Sequence, residues 1–134
     1  MLFQTVRIEF EVPWNTDGVR IACAALTTAN LLMLRYAQRA GRPFPQLYSS
    51  GVRYKRQPMV AGQERFQPIP RVLRRGNGDC DQLACWRAAE LQLQGELARA
   101  IPVRVNPRLM HVVVRRGDGR IEDPSKILGM KGAA

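Results

Sequence analysis

Residues 76–95 read GNGDCDQLACWRAAELQLQG, and the fold turns on how this stretch is read. Gly76-Asn77-Gly78-Asp79 is a turn, and the run that follows it has helical spacing. Leu83, Trp86 and Leu93, with Ala89 and Glu90 astride the next slot, predict a helix from about Cys80 to Gln94, and Gly95 closes it. Cys80 therefore falls at or beside the first helical position. Unpaired backbone N–H groups and the positive end of the helix dipole favour a thiolate there. The adjacent N–H is also placed to meet the oxyanion of a tetrahedral intermediate. Glycines before the cysteine let the chain turn sharply and keep side chains away from a substrate.

Downstream, Ala100 to Val105 reads as a strand, and residues 109–123, LMHVVVRRGDGRIED, read as a hairpin. The chain's one histidine, His111, lies on the first arm and Asp123 at the end of the second. Side chains alternate along a strand. A two-residue loop would put Asp123 on the face opposite His111. A three-residue loop, Gly117-Asp118-Gly119, pairs Arg116 with Arg120 and Val113 with Asp123, leaving Asp123 diagonal to His111 and within side-chain reach. Gly119 suits the left-handed position that closes such loops. His111 can then take the thiol proton and return it to a leaving amine, while Asp123 holds the ring tautomer.

Each residue alone has an ordinary explanation. Cysteines at helix starts are usually structural, a lone strand histidine is commonly a satisfied polar residue, and an Asp before Pro caps turns. Their joint occurrence raises Cys80, His111 and Asp123 as a catalytic set. Cys85, inside the helix, and Cys23, upstream, read as small packing residues.

The motifs Gly78-Asp79-Cys80-Asp81-Gln82-Leu83-Ala84, Ala88-Ala89-Glu90-Leu91, Ile101-Pro102-Val103-Arg104, His111-Val112-Val113-Val114 and Asp123-Pro124-Ser125 resemble the core of transglutaminase-like cysteine enzymes of the papain-like superfamily. The resemblance spans residues 76–125. It implies Cys80 as nucleophile, His111 as base and Asp123 as orienting acid, acting without cofactor or metal on a peptide or protein substrate. The family often has an acidic residue two positions after the cysteine, where Gln82 stands here. Members also supply a second oxyanion donor from upstream. Gln57, Gln63, Gln67, Tyr54 and Asn77 are the candidates. Leu47-Tyr48-Ser49-Ser50-Gly51-Val52-Arg53-Tyr54 resembles small proteins encoded in tailed-phage and prophage genomes. That likeness keeps a second class open: a non-enzymatic virion-assembly or interaction protein on the same scaffold.

The upstream half is otherwise simple. Phe3, Thr5, Val6, Ile8, Phe10 and Val12 alternate, which predicts a strand ending at Pro13. A helix follows from about Val19 to Ala40, apolar around most of its circumference and so expected to be heavily buried, ended by Gly41-Arg42-Pro43. Residues 42–76 read as loop with one short strand near Gly51 to Lys55.

The length, 134 residues, suits one domain over 1–134 with a single modest core. The expected fold class is α+β, helices packed on a small antiparallel sheet. With 46% apolar and 24% charged residues the composition is that of a globular chain. No run of about 18 apolar residues suggests a spanning helix, and residues 1–7 lack the pattern of a signal peptide. Three cysteines without repeated spacing argue against a disulfide framework and a four-ligand zinc site, and fit a reducing, cytoplasmic setting.

The formal net charge is +10, and eighteen of the 21 basic residues are arginine. Between Arg35 and Arg75 ten basic residues face only Glu64, so this loop-rich segment alone carries +9. It is the candidate surface for an acidic or polyanionic partner. Phe44, Tyr48, Tyr54 and Phe66 interleave it, as in single-strand binders, but among prolines and without a known nucleic-acid motif.

Overall fold

A computed structural model describes residues 3–57 and 65–131. The chain is an α+β fold: α1 (Thr16–Arg39), a 3-10 turn (Leu47–Ser49), β1 (Arg53–Tyr54), α2 (Ile69–Arg75), β2 (Asn77–Gly78), α3 (Cys80–Leu93), β3 (Arg99–Asn106), β4 (Leu109–Arg115), β5 (Ile121–Glu122) and α4 (Pro124–Ile127). β3, β4 and β5 form an antiparallel sheet in that order, and β1 and β2 a separate two-residue parallel pair.

The helix at the centre is α3. Most of it is buried all round, from Asp81 through Leu91, with only Arg87 half-exposed in that span. Small side chains at Ala84, Cys85, Ala88 and Ala89 let neighbours approach from both sides. On one side Cys85 and Ala88 pack with Cys23 and Leu26 of α1 and with Val112 and Val114 of β4. On the other, Leu83, Trp86 and Ala89 pack with Leu34, Leu47, Val52, Ile69 and Leu128. A helix covered on all sides is fixed in both position and rotation, which matters for a residue at its first turn.

The hairpin has the three-residue loop required by the face argument. Arg116 N–H donates to the Arg120 carbonyl at 2.7 Å and Gly119 N–H to the Arg116 carbonyl at 2.9 Å. Gly119 has φ +91°. Val114 lies opposite Glu122 and Arg115 opposite Ile121, which continues to Asp123 opposite Val113.

Three expectations need correction. Residues 3–13 form no strand; they run exposed and irregular, with Phe3 stacked on Phe44 at 6.2 Å. The alternating pattern is present, but no ladder partner lies beside it among the described residues, and a strand has no stability alone. Second, α1 buries one face (Cys23, Leu26, Asn30, Leu34, Ala37) and leaves Ile21, Leu32 and Tyr36 about half exposed. At 24 residues it is long and apolar enough to cross a membrane by length and composition, although no uninterrupted apolar run marks it in the sequence. Third, α2 replaces expected loop. Pro68 and Pro70 argue against a helix, yet Pro68 is the N-cap and Pro70 sits in the first turn, where no intrahelical donor is needed. Gly76 ends α2 with φ +79° and donates to the Val72 carbonyl at 2.9 Å.

Candidate active site

β2 delivers the chain into α3. Arg53 N–H bonds the Gly76 carbonyl at 3.1 Å and Lys55 N–H the Gly78 carbonyl at 2.9 Å, so β1 fixes the strand that ends one residue before Asp79. Gly78 is required by packing: a Cβ there would lie 3.0 Å from Leu83 Cδ2 and 3.2 Å from Val72 Cγ1. Asp79 is the N-cap of α3, and its carboxylate and the Gln82 carboxamide form a reciprocal capping box. Gln82, almost wholly buried, accepts from Asp79 N–H at 3.1 Å and from Arg75 at 2.8 Å, and donates to the Arg65 carbonyl at 3.2 Å. An amide both donates and accepts, so it serves here where a carboxylate would leave the Arg65 carbonyl unpaired.

Cys80 begins α3, half-buried against the core. The backbone N–H of Val112, the residue after His111 on β4, lies near enough to pull the Cys80 thiol pKa down. That proximity puts the nucleophile candidate near the histidine's strand. His111 Nε2 lies 2.9 and 3.1 Å from the two carboxylate oxygens of Asp123, and both side chains are largely shielded from solvent. With Nε2 as donor to Asp123, the lone pair of a neutral ring resides on Nδ1. Asp123 also caps α4, where Oδ1 accepts Lys126 N–H at 3.3 Å. The capping and orienting readings of this residue are therefore compatible.

Electrostatics overturns one expectation. Burial pushes the Cys80 thiol well above its ordinary value, and the carboxylates of Asp81 and Asp79 add to the rise; the N–H groups of Val112 and Asp81 oppose it only partly. The favourable helix terminus loses to desolvation and two adjacent anions. The resting sulfur is a thiol. A second correction concerns the oxyanion: the Cys80 N–H already donates to Asp79 Oδ1 at 2.7 Å.

The upstream candidates separate by their hydrogen bonds. Gln57 Nε2 donates to the Lys55 carbonyl at 3.2 Å and to Asn77 Oδ1 at 3.1 Å, and Gln57 N–H reaches Asp79 Oδ2 at 3.4 Å. Asn77 also accepts from Arg75 Nε at 3.0 Å and donates to the Arg75 carbonyl at 3.4 Å. Gln67 accepts from Arg75. These carboxamides knit the turn together. Gln63 lies outside the described residues. The Tyr54 hydroxyl is held above its ordinary pKa, first by burial and then by the nearby charges of Asp79, Cys80 and Asp123, with Arg56 opposing. Tyr54 thus shares the site with all three.

Sequence reasoning missed what holds Asp123 in place. Its neighbour Glu122 accepts from Arg87 at 2.7 Å, from Arg116 at 2.9 Å and from the Tyr48 hydroxyl. Arg116 in turn bonds Glu96 at 2.6 and 2.8 Å. The mixed charges around the hairpin turn (Arg115, Arg116, Asp118, Arg120, Glu122) are the sequence trace of this network. It also takes Tyr48 from the set of free stacking aromatics, since Arg87 lies 5.0 Å over its ring. Phe44, Tyr54 and Phe66 pack against the core.

Among the described residues, the Asp79 and Asp81 carboxylates and the Cys80 sulfur have ligand atoms within 4.8 Å of one another. Both Asp79 oxygens are engaged as acceptors from backbone N–H groups, and His111 is tied to Asp123.

No protein-family model, curated protein or solved structure matches the chain.

Proposed function

We propose that this protein is a thiol-dependent hydrolase or acyltransferase acting on peptide or isopeptide amides, with a papain-like, transglutaminase-like core. The observation that carries the reading is the His111–Asp123 pair. It is bonded through Nε2, which leaves Nδ1 to accept a proton, on the strand whose next residue, Val112, acts on the Cys80 thiol through its N–H. The Cys80 sulfur attacks the amide carbonyl as its proton passes to His111, so no stable thiolate is needed beforehand. The tetrahedral intermediate collapses, the C–N bond breaks, and His111 protonates the departing amine. Water or a second amine then attacks the thioester carbonyl, loses a proton to His111 and releases the sulfur. The three free cysteines suit a compartment that keeps thiols reduced, as the cytoplasm does.

The test is the rate of iodoacetamide alkylation at neutral pH, read cysteine by cysteine by mass spectrometry. Cys80 reacts first, while the fully buried Cys23 and Cys85 lag. His111→Ala slows the Cys80 reaction about 10²-fold or more. Equal, slow labelling of all three cysteines, unaffected by His111→Ala, refutes the proposal.

A second reading concerns the basic segment. Arg35, Arg39, Arg53, Lys55, Arg56, Arg71 and Arg74 are exposed, and none forms an ion pair among the described residues. This supports an acidic or polyanionic partner at residues 35–75. Affinity for such a partner must fall steeply between low and physiological salt. No binding at low salt removes this reading.

A further inference from the structure

We propose that the Tyr54 hydroxyl is the oxyanion donor of this site, hydrogen-bonding the carbonyl oxygen of the acyl group as Cys80 adds to it. The inference rests on the acyl-transfer reading above and deepens it. Any such reaction puts a negative charge on the former carbonyl oxygen, and a preorganised donor must meet it. Three of the expected donors are already committed. Cys80 N–H donates to Asp79, the Gln57 carboxamide to Lys55 and Asn77, and the Asn77 carboxamide to Arg75. Gln67 is anchored by Arg75 through its oxygen, and its NH2 group stays uncommitted.

Tyr54 differs from those three. Its hydroxyl makes no hydrogen bond to any described residue, although the side chain is half-buried and packed against the core. Its backbone is clamped on both sides. In the β1–β2 ladder Tyr54 lies opposite Gly78, two residues before the nucleophile. Its N–H donates to the Leu128 carbonyl at 3.0 Å, and Leu128 caps the short helix that starts after Asp123. The residue is thus wedged between the segment that carries Cys80 and the segment that carries Asp123. The Asp123 carboxylate acts on its hydroxyl through space, as a negative charge at Cys80 would. A rigidly held O–H with no partner in the resting site is what a donor for a transient anion requires.

Acylation and alkylation of the same sulfur separate this role from a structural one. With p-nitrophenyl acetate, the sulfur forms an S–C bond and the carbonyl π electrons move to oxygen. Collapse of that oxyanion expels p-nitrophenolate, and the thiol proton goes to His111. Alkylation by iodoacetamide displaces iodide in one step and forms no oxyanion. Tyr54→Phe removes only the hydroxyl. It should slow Cys80 acetylation by about tenfold or more while alkylation stays within about twofold. Gln57→Leu, as comparator, should leave the acetylation-to-alkylation ratio unchanged. Because the ratio is internal to one protein, partial unfolding moves both rates together and leaves no selective loss.

An unchanged ratio in Tyr54→Phe, with wild-type Cys80 readily acetylated, overturns the Tyr54 assignment and leaves the acyl-transfer reading standing. A selective loss in Gln57→Leu instead transfers the role to that carboxamide and also overturns it. Wild-type protein whose Cys80 is neither acetylated nor alkylated faster than Cys23 and Cys85 refutes both.

Discussion

Asp123 has two jobs, and a pair of substitutions separates them. Oδ1 accepts Lys126 N–H at 3.3 Å and His111 Nε2 at 3.1 Å, while Oδ2 faces Nε2 at 2.9 Å. In Asp123→Asn, Oδ1 can keep the cap, but an NH2 group then occupies the place of Oδ2. An N–H of the ring and an N–H of the amide cannot face each other. His111 must shift its proton to Nδ1, where it no longer accepts from the thiol, or the amide must turn away. Both outcomes forfeit a hydrogen bond to a charged group, about 1.5–3 kcal/mol. At 1.36 kcal/mol per decade this is about 10- to 150-fold in rate. Asp123→Ala loses the cap as well, costing about 1 kcal/mol of stability in addition. The assay is the second-order rate constant for Cys80 alkylation by iodoacetamide, with urea unfolding for stability and the imidazole ¹⁵N shifts for the tautomer. Asp123→Asn should slow alkylation with little loss of stability, and Asp123→Ala should lower both. If both variants alkylate within twofold of wild type while folded, Asp123 does not orient His111 and the argument fails.

Further outcomes follow from the same contacts. Glu90→Ala strips the acceptor from Leu47 N–H (2.7 Å), Trp86 Nε1 (3.1 Å) and Arg87 (3.3 Å) in the core, and should cost about 3–5 kcal/mol by urea unfolding; a loss below 1 kcal/mol means those donors find water. Gly78→Ala forces Leu83 and Val72 aside under the first turn of α3 and should cost about 1–3 kcal/mol, with a slower Cys80 reaction; unchanged melting and labelling contradict the tight approach. Arg116, and then Gly117 N–H, hold the Glu96 carboxyl down at about 2. A depressed folded pKa makes this contribution complete above the ordinary carboxylate range and lost as pH falls toward 2. Glu96→Gln should therefore flatten the decline in stability between about pH 4.5 and 2; parallel pH–stability curves for variant and wild type exclude the pair as its source.

The local elements were readable where local physics is decisive. Spacing and flanking turn residues placed α1 and α3 within a few residues, and the turn at 76–79 marked the start of α3. The parity of a pleated strand required a three-residue loop if His111 and Asp123 were to meet, and Arg116 does pair with Arg120 across Gly117-Asp118-Gly119. Residues 3–13 failed for a matching reason: alternation describes a strand's faces and says nothing about whether a neighbour exists. α2 failed because proline weighs against a helix until its position within the first turn is known.

The sequence by itself determined where Cys80, His111 and Asp123 lie on their elements, since helix starts and strand parity depend on neighbours along the chain. Tertiary structure alone decided their chemical state. Burial of α3 desolvated a sulfur already flanked in sequence by the Asp79 and Asp81 carboxylates, which left it a thiol despite the helix terminus. Packing of β1 between β2 and the end of α4 likewise set Tyr54, distant in sequence, between the segments that carry Cys80 and Asp123. Desolvation, and charge from groups distant in sequence, depend on what the whole fold gathers around a group, and no local pattern encodes them.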